Sequence, residues 1–148
     1  MRAKQLRYFM ILLPLVIWNA AANADDIDQC WESTHSHLAA VECLNDIKEE
    51  AEEELALLLM HESKAAASYD RTWQEAERML YARAEEYLEQ SQSAFRHFMK
   101  EECTRRMVRY GAGNFAGDVR MQCEINMIRQ RIDMLRANST TGLEEVAQ

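Results

Sequence analysis

Two cysteines set equally far from a glycine-rich turn constrain this chain more than any other feature. Cys103 lies ten residues before Gly113, and Cys123 lies ten residues after it. Gly111, Gly113 and Gly117, with Asn114 among them, put three glycines into seven residues. Such a run marks a break between helices, because glycine takes positive φ at no steric cost. Apolar residues recur at three- and four-residue steps on both sides of it. Two antiparallel helices leaving one turn bring equidistant positions to the same level. A disulfide needs Cα atoms within about 7 Å, so the pairing Cys103–Cys123 follows from the symmetry.

The chain has four cysteines, an even set that suits two disulfides in an oxidising compartment. Once Cys103 and Cys123 are paired, Cys30 is left for Cys43. In one continuous helix those two would lie about 20 Å apart, so the chain must turn between them, near Glu32-Ser33-Thr34. Ser33 or Thr34 is the expected cap of the helix that follows. Zinc is the rival use of four cysteines, but no Cys-x-x-Cys pair is present.

Export is the compartment this implies, and residues 1–24 read as its signal. Arg2, Lys4 and Arg7 open a basic start, Tyr8 to Ala20 is apolar, and Ala22-Asn23-Ala24 is a small-x-small cleavage site. The apolar run is too short for a permanent membrane helix, which needs about 20 residues. No cysteine follows the cleavage site directly, so a lipid anchor is not expected. The expected destination is the periplasm, or the medium beyond it, with cleavage after Ala24 and no stable membrane insertion afterwards.

A single domain is expected over residues 25–137, all-α, an antiparallel bundle of three to four helices with one long helix and two disulfide staples. Leu38, Val41, Leu44, Ile47, Ala51, Leu55 and Leu58 define a first amphipathic helix over 35–62. A break is expected across Ser63–Tyr69, with Asp70 capping the next helix. Residues 71–110 then form the longest element, with Trp73, Leu80, Tyr87, Leu88, Phe95, Phe98, Met99, Cys103 and Tyr110 on its apolar side. The last helix runs over 118–137, with Asp118 at its positive end and Met121, Ile125, Ile128, Ile132 and Leu135 as its stripe. The polar tail 138–148 is expected to fray.

Charge narrows the partners. Cleavage after Ala24 removes three of 17 basic residues and none of 25 acids, which leaves 14 against 25, a balance of −11. Residues 25–95 hold 18 acids and 5 bases, whereas residues 96–136 hold 9 bases and 5 acids. An acidic protein repels phosphate backbones, so nucleic acid is not an expected partner. No nucleophile elbow, phosphate loop or His-Glu-x-x-His is present, and no enzyme activity, cofactor or metal is expected. Methionines and aromatics at helical spacing read as core. Two groups of residues stand out as partner-binding candidates. Glu49, Glu50, Glu53 and Glu54 form an acidic run suited to a cationic partner. Arg105, Arg106 and Arg109, with Gly113, Asn114 and Phe115 of the following loop, would rim a recognition surface held rigid by a disulfide.

The stretch from Leu88 to Leu135 resembles the lysozyme-inhibitor LprI N-terminal domain family of small bacterial envelope proteins. Leu88, Gln92, Cys103, Gly113, Cys123, Arg131 and Leu135 fall in register with that family's pattern. Phe95 stands where Trp is usual, Met99 for Arg, Asn114 for Ser, Gly117 for Pro and Ile128 for Thr. The resemblance implies a helical inhibitor that neutralises a cell-wall hydrolase such as lysozyme. Host lysozymes are commonly basic, which suits an acidic partner. The alternatives are an immunity protein against a toxin delivered to the periplasm, and a helical adaptor or chaperone in envelope assembly.

Overall fold

A computed structural model describes residues 22–111 and 113–145. The expected signal segment therefore lies outside the described residues as far as residue 21. Four helices follow one another: α1 (Ala22–Ser33), α2 (His37–Glu75), α3 (Ala84–Val108) and α4 (Asn114–Glu145). A short 3-10 turn, Met79–Tyr81, lies between α2 and α3, and there is no strand among the described residues. No helix among the described residues is long and apolar enough to cross a membrane. The all-α bundle and both staples agree with the expectation: Cys30–Cys43 and Cys103–Cys123 bond with Cα–Cα distances of 5.7 and 5.5 Å.

Local chemistry explains each turn. Ser33 Oγ and Thr34 Oγ1 donate back to the carbonyls of Gln29 and Cys30, at 2.6 and 2.7 Å, and close α1. They do not cap the next helix, as the sequence suggests. That role falls to Ser36, whose side-chain oxygen accepts from Ala39 N–H at 3.2 Å.

The expected break at Ser63–Tyr69 does not occur. Lys64-Ala65-Ala66-Ala67 consists of strong helix formers, with no glycine or proline to stop them. Helix α2 runs through them for 39 residues, about 58 Å, so the longest element is this one and not 71–110. It ends at Ala76, where Glu77 takes φ +57° and Arg78 N–H bonds Trp73 C=O at 2.9 Å. This six-to-one closure satisfies the last carbonyls of the helix. Asp70 caps a helix after all, but a different one. From within α2 its carboxylate accepts Ala84 N–H at 2.7 Å and Glu85 N–H at 3.1 Å, closing the amino end of α3.

Helix α4 begins at Asn114, one turn before the expected start, and continues past Ala137 to Glu145. Asp118 is buried inside its first turns and accepts from His37 Nε2 at 2.9 Å.

The core is threaded on α4. Ile125 joins Ile27, Cys30 and Leu44 around the first disulfide, with Trp31, Ile47 and Met121 alongside. Ile128, Ile132 and Leu135 meet Ala51 and Leu55 farther along, under Leu88, Phe95 and Met99. Cys103, Cys123 and Met127 form a third cluster. The stripe expected for α4 is thus the real one. On α2 and α3 the buried face is narrower than expected, and Leu38, Leu80, Tyr87, Phe98 and Tyr110 are exposed. Contacts rise together along α2 and α4, from His37–Asp118 through Lys48–Glu124 to Glu54–Arg136, so these two helices are parallel. The α3 contacts run the other way, from Ser91–Arg131 to Cys103–Cys123. Successive helices are therefore antiparallel, and α2 and α4 point the same way.

Candidate recognition surfaces

At the last turn of α3 the arginines are organised by one carboxylate. Arg105 bonds Glu102 through Nε and Nη2, both at 2.7 Å, and Arg106 Nε adds a third bond at 3.0 Å. The hydrogen bonds of Arg105 and then Arg106 pull the Glu102 carboxyl down to about 2. Glu102 precedes its partners by three and four residues, the spacing at which helix side chains meet. Arg109, which ends the helix, has no ion-pair partner among the described residues.

The chain then turns on Gly111 and Gly113, at φ +78° and +140°. A Cβ at Gly113 would touch nothing, so the demand for glycine is conformational and not steric. This turn places Phe115 against Tyr110, edge to face, with ring centroids 5.5 Å apart. Arg105, Arg106, Arg109, Tyr110 and Phe115 line a groove of about 660 Å³, completed by Val119, Gln122, Cys123 and Asn126 of α4. The sequence therefore named four of its lining residues as partner-binding candidates, Arg105, Arg106, Arg109 and Phe115, and placed Tyr110 on the apolar side of a helix. Gln122 and Asn126 were missed, although their i,i+4 spacing just beyond Phe115 is the readable signal. Gly113 and Asn114 shape the turn without lining the groove.

The acidic run divides. Glu49 and Glu53 are exposed on the outer face of α2. Glu50 and Glu54 turn toward α4, where they border a smaller pocket of about 140 Å³ with Arg129 and Arg136, and Glu54 pairs with Arg136. On the outer face, Glu49 and Glu53 continue a line begun by Glu42 and Asp46, at steps of four, three and four residues. None of these four has an ion-pair partner among the described residues. Carboxylates aligned in this way repel one another. The sequence reading missed Glu42 and Asp46 because it counted neighbours in the chain and not neighbours on the helix. The arginine groove lies over the side of α4 bearing Val119, Gln122 and Asn126, away from Ile125, Ile128 and Ile132, which meet the core. The structure thus brings the arginines and the loop together but leaves the acidic line on a separate face.

Other polar groups serve packing. Glu124, only 9% exposed, receives Lys48 Nζ at 2.6 Å and Arg120 Nε at 2.8 Å. Burial works against its charge, but the two hydrogen bonds outweigh burial and hold the acid below its ordinary range. Arg129 grips Asp26 with two bonds, which ties α1 to α4 and depresses the aspartate as well.

At the far end of the bundle, Tyr69, Trp73 and Tyr81 stack in series. A groove of about 750 Å³ opens there over Ala65, Ala66 and Ala84, between Tyr69 and Tyr87. Of these rings the sequence places Trp73 and Tyr87 on an apolar helix face, whereas Tyr87 is exposed.

No protein-family model matches the chain, and no curated protein or solved structure is found similar to it.

Proposed function

We propose that this is an exported protein-binding inhibitor that neutralises a cell-wall hydrolase such as lysozyme. The observation that carries a binding role is the groove at the α3–α4 turn. Arginine and exposed aromatic rings are the residue types that dominate protein-recognition hot spots. Here Arg105, Arg106, Arg109, Tyr110 and Phe115 converge on one surface beside Cys103–Cys123. A surface held by a disulfide and by helix ends loses little conformational freedom when a partner docks. The choice of hydrolase comes from the Leu88–Leu135 resemblance. Two disulfides support an oxidising compartment, where such hydrolases act. The unpaired outer carboxylates of α2 add a field that draws a cationic protein inward.

The test is direct. The purified protein is titrated into a lysozyme assay on bacterial cell walls, and the same protein, immobilised, is used to capture partners from periplasm. Stoichiometric inhibition, or capture of a wall hydrolase, supports the reading. Undiminished hydrolysis together with capture of a secreted toxin or an envelope-assembly component would replace it.

A further inference from the structure

We infer that the groove between the end of α3 and the outer side of α4 is a site for an acidic peptide segment of a partner protein. The segment's carboxylates meet the arginines, and an apolar side chain next to them meets Tyr110 and Phe115. This deepens the binding role proposed above, since it names the chemistry that the groove recognises.

The charge is specific to the place. Three guanidinium groups line the groove and no carboxylate does, in a chain with 25 acids against 17 bases. Glu102 does not exhaust the arginines. Each guanidinium has five N–H donors, and Glu102 takes two from Arg105 and one from Arg106. What Glu102 does is hold both planes in place, so less freedom remains to be lost when a carboxylate arrives. Arg109 has no acidic partner among the described residues and offers its whole fork. Bidentate arginine–carboxylate pairs are among the strongest polar contacts a surface can make.

The remaining walls favour a peptide over a bare anion. Tyr110 and Phe115 are 58% and 63% exposed, an apolar ledge that an inorganic ion would leave uncovered. Gln122 and Asn126, one helical turn apart, place amide donors and acceptors along the α4 wall beyond Phe115, where an extended backbone needs both. A volume of about 660 Å³ falls in the range of ligand-sized clefts.

The probe is the blocked peptide acetyl-Glu-Glu-Phe-Glu-Glu-amide, with its glutamine counterpart and inorganic phosphate as comparisons, added to the ¹⁵N-labelled full chain. Saturable shifts are expected at the Nε–H signals of Arg105, Arg106 and Arg109 and at the side-chain amides of Gln122 and Asn126. Arg109→Ala and Phe115→Ala, both exposed, should keep the melting temperature of wild type. Arg109→Ala should weaken the acidic peptide about tenfold, the size of one lost charge-assisted hydrogen bond. The glutamine peptide should bind more weakly by at least as much. The inference is overturned if Arg71, Arg78 and Arg96 shift as strongly as the groove arginines. Equal binding by Arg109→Ala, or equal shifts from phosphate, overturns it too. Lysozyme assays run on the same samples keep the two ideas apart. Peptide binding without inhibition rejects the hydrolase but keeps the site, whereas inhibition unaffected by Arg109→Ala, with no peptide binding, rejects the site but keeps the inhibitor.

Discussion

Asp70 caps a helix fourteen residues farther along the chain. Arg83 occupies the cap position of α3 without a side-chain bond, and the two oxygens of Asp70 supply what is missing. Loss of a capping side chain costs about 1–2 kcal/mol. Asp70→Ala should therefore lower stability by about that amount in urea unfolding, and Asp70→Asn by less, because an amide oxygen still accepts one bond. Identical midpoints for the two variants would refute this account. The residue type was legible in the sequence as a cap, but its partner was not, since only the fold brings Ala84 beside it.

Glu124 allows a second test at this scale. Its carboxyl lies below the ordinary range because the hydrogen bonds of Lys48 and Arg120 outweigh burial. Folding therefore favours its charged form. That contribution is complete above the unfolded carboxylate range and is lost as pH falls through the lower folded value. Glu124→Gln should be less stable than wild type at neutral pH, and the gap should close in thermal melts below about pH 4. A gap that stays constant across that window would mean that the residue contributes shape alone.

Elements were legible where their punctuation was local. Equal spacing of Cys103 and Cys123 about Gly113 predicted the α3–α4 hairpin, and the α4 stripe from Met121 to Leu135 is the one found buried or half-buried. The end of α2 was hidden because its left-handed closing residue is Glu77 and neither glycine nor asparagine. Apolar faces were overdrawn on α2 and α3 because a three- or four-residue step drifts around the helix over so many turns. In the loop-entropy description, the bridge spanning 20 residues from Cys103 to Cys123 contributes about 3 kcal/mol. The Cys103→Ser/Cys123→Ser double variant should melt well below wild type and lose the fixed geometry of the Tyr110–Phe115 ledge. An unchanged melting temperature would show that helix packing alone holds the turn.

At the scale of the molecule, charge is segregated by face. Glu42, Asp46, Glu49 and Glu53 line the outside of α2, while the arginines gather at the α3–α4 turn. Exposed charges act through a field whose reach shrinks from about 30 Å at 0.01 M salt to about 8 Å at physiological strength. Replacing the four outer acids by their amides should slow association with a cationic hydrolase at low salt, leave dissociation nearly unchanged, and lose its effect as salt rises. Removing like-charge neighbours should also raise stability slightly, by about 0.2–0.5 kcal/mol per pair. Surface-plasmon kinetics at two salt concentrations measure the first effect. Matching association rates in dilute buffer would reduce the line to a solvated surface. The composition announced this asymmetry, but the split of Glu50 and Glu54 from Glu49 and Glu53 needed the helix in place.

The two disulfides also divide the molecule. Cys30–Cys43 closes α1 onto α2, and Cys103–Cys123 closes α3 onto α4, so neither bridge crosses the connector at 76–83. Only a single peptide segment, containing Arg78 and Arg83, joins two covalently sealed hairpins. Brief trypsin treatment should cut there first. The cut protein should migrate as one body on a native gel and as two pieces on a denaturing gel run without reductant. Two copies could also trade halves across that segment, each α1–α2 hairpin seating on its neighbour's α3–α4, to give an intertwined dimer that reducing agents need not dissolve.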